Sequence, residues 1–214
     1  MMTVAVVVDN PSWILPHAER LVELIRQEGH TANLYRSYAE LPAGELAFFL
    51  GCTGLAKNEV LAKHRHNLVV HESALPAGRG FAPMTWQILA GANVIPVALL
   101  EAAEGADTGD IYLRDEICLN GDELCDALRR LQGEKTVELC LRFLRDYPHV
   151  APQAQLGEPS SFARRTPAHS RLDPDKTIRE QFNLLRVVDN ERYPAFFEID
   201  GRRYVLKISR DDEQ

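Results

Sequence analysis

Thr3-Val4-Ala5-Val6-Val7-Val8 is an unbroken run of β-favouring residues near the start of a 214-residue chain. A strand with one wet face alternates apolar and polar side chains. A continuous apolar run of this length reads instead as a strand covered on both faces. Helices are what cover such a strand, so the run pulls the chain toward an α/β fold. The next segments agree. Asp9-Asn10-Pro11-Ser12 is turn chemistry. Residues 16–28 then place Leu21, Leu24 and Ile25 on one helical face, and Gly29 stops the helix.

The alternation continues. Strands are expected at residues 31–35, 46–50, in the segment ending at His71, and at 94–100 and 111–117. Helices are expected at 58–64, at 83–90 with Pro83 in its first turn, and at 122–145 with a break near Gly133. This order predicts a mostly parallel sheet wrapped by helices, occupying residues 1–150. From 147 to 177 the composition shifts. Pro148, Pro152, Pro159, Pro167 and Pro174 mark an irregular connector. A cut at residue 158 is therefore expected to leave the first unit nearly complete. A short helix at 178–187 follows, then strands at 195–199 and 203–208 around Asp200-Gly201, a hairpin signal. Residues 151–214 are thus read as connector plus a small helix and β-hairpin appendage. It is too small to fold alone and should pack on the main unit, and its hairpin could pair across a two-fold axis to give a homodimer.

Composition narrows the partners. With 24 basic and 31 acidic residues the net charge is −7, which repels a nucleic acid on average. No apolar stretch approaches the roughly 20 residues that span a bilayer, and no basic leader precedes the first strand. A cytoplasmic protein that binds neither nucleic acid nor membrane is the expectation. Cys52, Cys118, Cys125 and Cys140 form no C-x-x-C pair and read as reduced, buried thiols. His64-Arg65-His66 has no Cys or carboxylate at ligand spacing, so no metal site is expected.

Two runs carry ionisable groups to the strand ends where α/β sheets build their sites. The strand Leu68-Val69-Val70 ends in His71-Glu72-Ser73-Ala74-Leu75-Pro76-Ala77-Gly78-Arg79-Gly80. The second run is Glu104-Gly105-Ala106-Asp107-Thr108-Gly109-Asp110. Brought together, His71 and Asp107 make an acid/base pair, the carboxylate fixing the imidazole tautomer. Taken singly, His71 can equally be a core histidine and Asp107 a turn residue.

The order and spacing of these elements resemble the formyltransferases that use N10-formyltetrahydrofolate. That family has N-x-H-x-S-x-L-P, then R-G-x-x-P, then a D-x-G loop roughly 30 residues on. This chain carries His71, Ser73, Leu75-Pro76, Arg79-Gly80, Pro83 and Asp107-Thr108-Gly109. Within the family it looks closest to sugar N-formyltransferases of the pseudaminic acid type. That likeness rests on Asp9-Asn10-Pro11-Ser12-Trp13-Ile14, Asn67-Leu68-Val69-Val70-His71-Glu72-Ser73, Leu100-Glu101-Ala102, Gly109-Asp110-Ile111-Tyr112-Leu113, Asn183-Leu184-Leu185-Arg186-Val187-Val188-Asp189-Asn190 and Tyr193-Pro194-Ala195-Phe196-Phe197.

The resemblance implies a Rossmann-like domain and an enzyme of surface polysaccharide biosynthesis. The implied reaction is formyl transfer from N10-formyltetrahydrofolate, without a metal, to the amine of a nucleotide-linked 4-amino-4,6-dideoxy sugar. It implies His71 and Asp107 as catalytic groups. Met84, Trp86, Ile88, Leu100, Glu101 and Gly105 are the implied donor contacts, although Trp86 also suits helix–sheet packing. Asn10, Ser12, Trp13, Ser73, Arg79, Asn183, Arg186 and Phe196 are the implied substrate contacts, although Ser12 also suits a helix N-cap. Arg164, Arg165 and Arg171 could meet a diphosphate. One position departs from the pattern: the family's Asn, two residues before the His, is Val69 here. Asn67 stands about 13 Å along the strand from His71 and cannot replace it. Ser73, Asn10, a backbone N–H or a water are the substitutes open. The competing readings are formylation of an aminoacyl group, on a tRNA or a peptide-synthetase carrier, formyltetrahydrofolate hydrolysis, and a non-catalytic folate binder.

Overall fold

The computed structural model describes residues 1–211. In chain order the elements are β1 (Thr3–Val7), α1 (Leu15–Gln27), β2 (Thr31–Tyr35), β3 (Gly44–Phe49), α2 (Asn58–Leu61), β4 (His64–His71), β5 (Arg79–Gly80), α3 (Pro83–Leu89), β6 (Val94–Glu101), β7 (Ile111–Cys118), α4 (Cys125–Asp146), β8 (Ser161–Phe162), α5 (Phe182–Val187), β9 (Ala195–Ile199) and β10 (Arg202–Leu206). Six strands form the main sheet in the order β2-β1-β3-β4-β6-β7. The first four run parallel, while β6 and β7 join antiparallel. Only a loop links β6 to β7, and a link without a helical crossover returns the chain antiparallel.

The apolar run at the start does what its pattern requires. Val4, Val6 and Val8 enter a large core with Leu21 and Ile25 of α1, Phe48, Ile88 and Phe143. Ala5 and Val7 face a smaller cluster with Leu41, Ala47, Phe49 and Val60. Strand β4 divides in the same way. Leu68 and Val70 pack on the large core, and Val69 on the opposite face.

Three expectations are corrected. Helix α4 runs unbroken through Gly133, where a Cβ would stand 2.4 Å from the His17 ring of α1. The glycine is there for helix–helix approach, not for a break. The N-cap of α1 is Ile14 rather than Ser12, whose carbonyl accepts from Leu15 N–H. Only Cys140 of the four thiols is buried, and Cys118 is exposed at the end of β7.

The connector is also more integral than its prolines suggest. Gln153 bridges to Ile111 at the start of β7, and β8 pairs with β5. Residues 151–162 therefore belong to the first unit, and a cut at 158 would remove part of it. The hairpin is as expected: Asp200 and Gly201 both take positive φ, the turn that matches strand twist. Among the described residues no helix is long and apolar enough to cross a membrane.

Candidate active site

Parallel strands β1, β3 and β4 end on one side of the sheet, and a cavity of about 440 Å³ opens there. Ser12 and Trp13 line it after β1, and residues 51–56 after β3. His71 and Glu72 line it from the end of β4, and Phe81 to Pro83 from the start of α3. Ala102, Ala103, Gly105, Ala106 and Asp107 come from the β6–β7 loop, and Gln132 and Thr136 from α4.

The structure brings His71 and Asp107 together. His71 Nδ1 lies 3.5 Å from Asp107 Oδ1, with both side chains largely buried. The other ring nitrogen, Nε2, donates to the Gly78 carbonyl at 2.8 Å. This corrects the expected source of the tautomer. A carbonyl can only accept, so Nε2 carries hydrogen whatever Asp107 does. Nδ1 is then the ring nitrogen that faces the Asp107 carboxyl. Asp107 is itself held: its Oδ2 accepts from Gly80 N–H at 2.9 Å, and its carbonyl from Gln155 Nε2 at 2.8 Å.

The loop after β3 is braced by Asp9. Its carboxylate accepts from the backbone N–H groups of Thr53 and Gly54, each at 2.9 Å, and from Asn10 Nδ2 at 2.6 Å and the Tyr38 hydroxyl at 3.3 Å. Burial pushes this carboxyl up, but those donors outweigh it and hold it below the usual range. Burial pushes the neighbouring Cys52 thiol up to about 11, so it stays protonated at neutral pH.

Of the expected donor contacts, Gly105 lines the cavity. Met84, Ile88 and Leu100 do not; they are core side chains, each at most 4 % exposed. Glu101 faces away, accepting from Asn67 N–H and lying beside His66 and Tyr112. Trp86 packs on the connector: it stacks on Phe162 and donates to the Ala163 carbonyl. Of the expected substrate contacts, Ser12 and Trp13 line the cavity. Asn10 is tied to Asp9 and the Gly51 carbonyl, and Arg79 to Gln155. Ser73 is 2 % exposed with no hydrogen-bond partner for its hydroxyl among the described residues. Arg186 is 1 % exposed and clamped by Glu123, Asn93 and Asn183, and neither Asn183 nor Arg186 lines the cavity. Phe196 is buried under the Arg203 guanidinium. Of the three connector arginines, Arg164 stacks on Phe81 at the cavity mouth, Arg165 bonds Val187 and Ser170, and Arg171 pairs with Glu198.

Val69 lines the cavity two residues before His71 and offers no polar atom there. Asn67 instead spends its amide on the carbonyls of Leu61 and His64. The cavity groups that went unnoticed in the sequence include Glu72, Phe81, Gln132 and Thr136. For Glu72 a signal existed, a carboxyl directly after an apolar strand and beside a candidate histidine. The other three come from a loop and a helix face whose position only the fold supplies. Among the described residues no cluster of three or more His, Cys, Asp or Glu side chains could hold a metal.

Comparison with known proteins agrees with this architecture. Residues 10–139 match the family model described as formyl transferase. Methionyl-tRNA formyltransferase of Thermus thermophilus is 30% identical over 167 residues, which cover 78% of this chain and 55% of that protein. The chain thus spans about half the length of the first curated relatives it matches. A methionyl-tRNA formyltransferase structure from Clostridium thermocellum superposes with a TM-score of 0.82 at 22% identity, covering 100% of this chain and 96% of that one. A sugar N-formyltransferase from Shewanella sp superposes with a TM-score of 0.71 at 16% identity, covering 98% of each chain. At these identities the two structures speak to the fold.

Proposed function

Because the chain belongs to the formyl transferase family, we propose that it formylates the amino group of a nucleotide-linked sugar. The donor in this reading is N10-formyltetrahydrofolate, and the acceptor a UDP-linked 4-amino-4,6-dideoxy sugar of the pseudaminic acid pathway type. The observation that carries the reading is His71 held beside Asp107, at 3.5 Å, on the wall of the cavity. Attack of an amine on the formyl carbon gives a tetrahedral oxyanion. One N–H proton must then travel from the amine to N10 as the C–N10 bond breaks. A largely buried histidine set beside a carboxyl suits that transfer.

The lining suits both partners. Ala102, Ala103, Gly105 and Ala106 line the cavity with small side chains, which lets a flat ring approach the backbone closely. The exposed Phe81 ring carries the Arg164 guanidinium 4.6 Å from its centroid. An aromatic face and a cation at the mouth fit a base and a phosphate. The net charge of −7 favours a compact nucleotide over a large polyanion.

The test is direct. The protein is incubated with N10-formyltetrahydrofolate and the UDP-linked amino sugar, and the sugar is followed by mass spectrometry. Formamide product is the expected result. A second reading has its own support, since curated relatives bear the name methionyl-tRNA formyltransferase. Formylation of aminoacylated tRNA but not of the sugar would transfer the assignment to that acceptor.

A further inference from the structure

The end of β4 presents two ionisable side chains on opposite faces of the sheet. His71 follows Val69 toward the β6–β7 loop, whereas Glu72 follows Val70 toward α4. Both line the same cavity. His71 Nε2 is bonded to the Gly78 carbonyl, which leaves Nδ1, 3.5 Å from Asp107, as the one ring nitrogen open to proton transfer. The carboxyl of Asp107 is divided between His71 and Gly80. Tyr38 and Cys52 also line the cavity, but burial pushes both up and keeps them protonated. Glu72 is the remaining acid/base group on the wall. It is 8 % exposed. Gln87 donates to the Glu72 backbone carbonyl at 2.6 Å, and Gln132 and Thr136 of α4 line the same cavity.

A formyl acceptor poses a problem that one His/Asp pair does not solve. An aliphatic amine is mostly ammonium at neutral pH and has no lone pair for attack. Two protons must leave nitrogen, one before attack and one after. We propose that Glu72 is a second catalytic group of this site, the base that takes the first of these protons. The inference rests on the formyl-transfer reading. The ammonium gives one proton to the Glu72 carboxylate and becomes a neutral amine. The amine lone pair then forms the C–N bond at the formyl carbon. The remaining extra N–H proton passes through the His71–Asp107 pair to N10, and the C–N10 bond breaks with its electron pair on N10. Glu72 finally releases its proton to water, so ammonium and formyl donor yield formamide, tetrahydrofolate and one proton.

The electrostatics support the role. Burial pushes the Glu72 carboxyl above the usual range, with Asp107 in the same direction, against the pull of His71 and Gln132. His71 and Asp107 are the ionisable groups acting on it; α4 faces it with the neutral Gln132 and Thr136, and α3 with the neutral Gln87. A carboxylate with raised proton affinity is a better base near neutrality.

The test is a pH–rate profile of formyl transfer to the amino sugar. Glu72→Gln should lose about 100-fold in kcat/KM near pH 7, as expected of a missing general base. The loss should shrink to within about threefold near pH 10, where the amine is already neutral. Gln132→Leu keeps the carboxyl but removes the amide that steadies its charged form, so the acid limb of kcat/KM should move to higher pH. This second variant decides the matter if Glu72→Gln does not fold. A loss equal at every pH, or an unmoved acid limb in Gln132→Leu, overturns the inference. A wild-type protein that formylates no amine overturns the formyl-transfer reading itself, and is told apart by that.

Discussion

His71 Nε2 donates to the Gly78 carbonyl across 2.8 Å. The residue seven positions downstream thus fixes the imidazole, and it can do so because it is glycine. Gly78 sits at φ 76°, where a Cβ would meet the Phe162 ring at 2.8 Å. Any larger residue would push the carbonyl away from His71 or Phe162 out of its place. The histidine, the glycine turn and the connector are therefore one mechanical unit. Asp107 completes it from the other side without setting the tautomer.

His71→Ala and Asp107→Asn should each lower kcat by about 100-fold or more, in keeping with loss of general acid–base help. Asp107→Asn retains an oxygen for the Gly80 N–H, so the loop should hold. Circular dichroism and thermal unfolding should match the wild type within a few degrees. Turnover close to wild type in either variant would remove that residue from the chemistry.

Arg186 and Glu123 pair at 3.0 Å with side chains 1 % and 9 % exposed, joining α5 to the loop before α4. Arg186→Ala would leave Glu123 buried without its cation, a change that costs about 3–5 kcal/mol. Denaturant unfolding should show that loss, while the acceptor KM of the folded fraction stays unchanged. A raised KM without lost stability would restore Arg186 as a substrate contact. Burial pushes Glu123 up, but N–H groups of Asn120, Glu123 and Gly121 and the Arg186 cation outweigh it, so its net shift is downward. A carboxyl lowered in the folded state stabilises the fold above its ordinary range. That contribution should fade as pH falls through the folded value, below the ordinary range, in urea midpoints measured down an acid series.

Most of the fold was legible because its signals are local. Period and turn chemistry placed β1, β2, α1, α3 and the Asp200-Gly201 hairpin within a few residues. The His71–Asp107 contact was legible through spacing and family likeness. What the sequence withheld depends on long-range packing. The role of Gly133 requires knowing that His17 lies across from it. The burial of Arg186 requires Glu123 at a distance of 63 residues along the chain. The α4 wall of the cavity, Gln132 and Thr136, lies on a helix whose rotation no motif announces.

Asp9→Ala should loosen the loop after β3. Two backbone N–H groups, of Thr53 and Gly54, would lose their acceptor beside the cavity. Such groups cost about 1–3 kcal/mol when stranded. The acceptor KM should rise severalfold with kcat little changed, because the loop shapes the cavity and lies away from His71. The same loosening should appear in the wild type at acid pH. The Asp9 carboxyl is lowered in the folded state, so its bracing holds at neutral pH and is lost as pH falls through that lowered value. An Asp9→Ala protein with wild-type KM would show that the loop holds itself.

Phe162 is the residue on which the connector's role turns. It stacks on Trp86 at 6.4 Å between ring centroids, its backbone flanks Gly80, and its carbonyl accepts from Phe81 N–H at 3.3 Å. Ser160 beside it accepts from Gly78 N–H through Oγ and from Arg79 N–H through its carbonyl, both at 2.9 Å. These contacts hold the turn that carries the His71 partner, and they anchor Gly80 and Phe81 on the cavity wall. Phe162→Ala in the full chain should weaken tetrahydrofolate binding about tenfold, roughly 1.4 kcal/mol by calorimetry. A chain ending at residue 158 loses Ser160 and Phe162 together and should bind still more weakly, even where it stays soluble. Full-strength tetrahydrofolate binding by that shorter chain would show that β5 and its turn keep their shape unaided, and that the connector merely passes by.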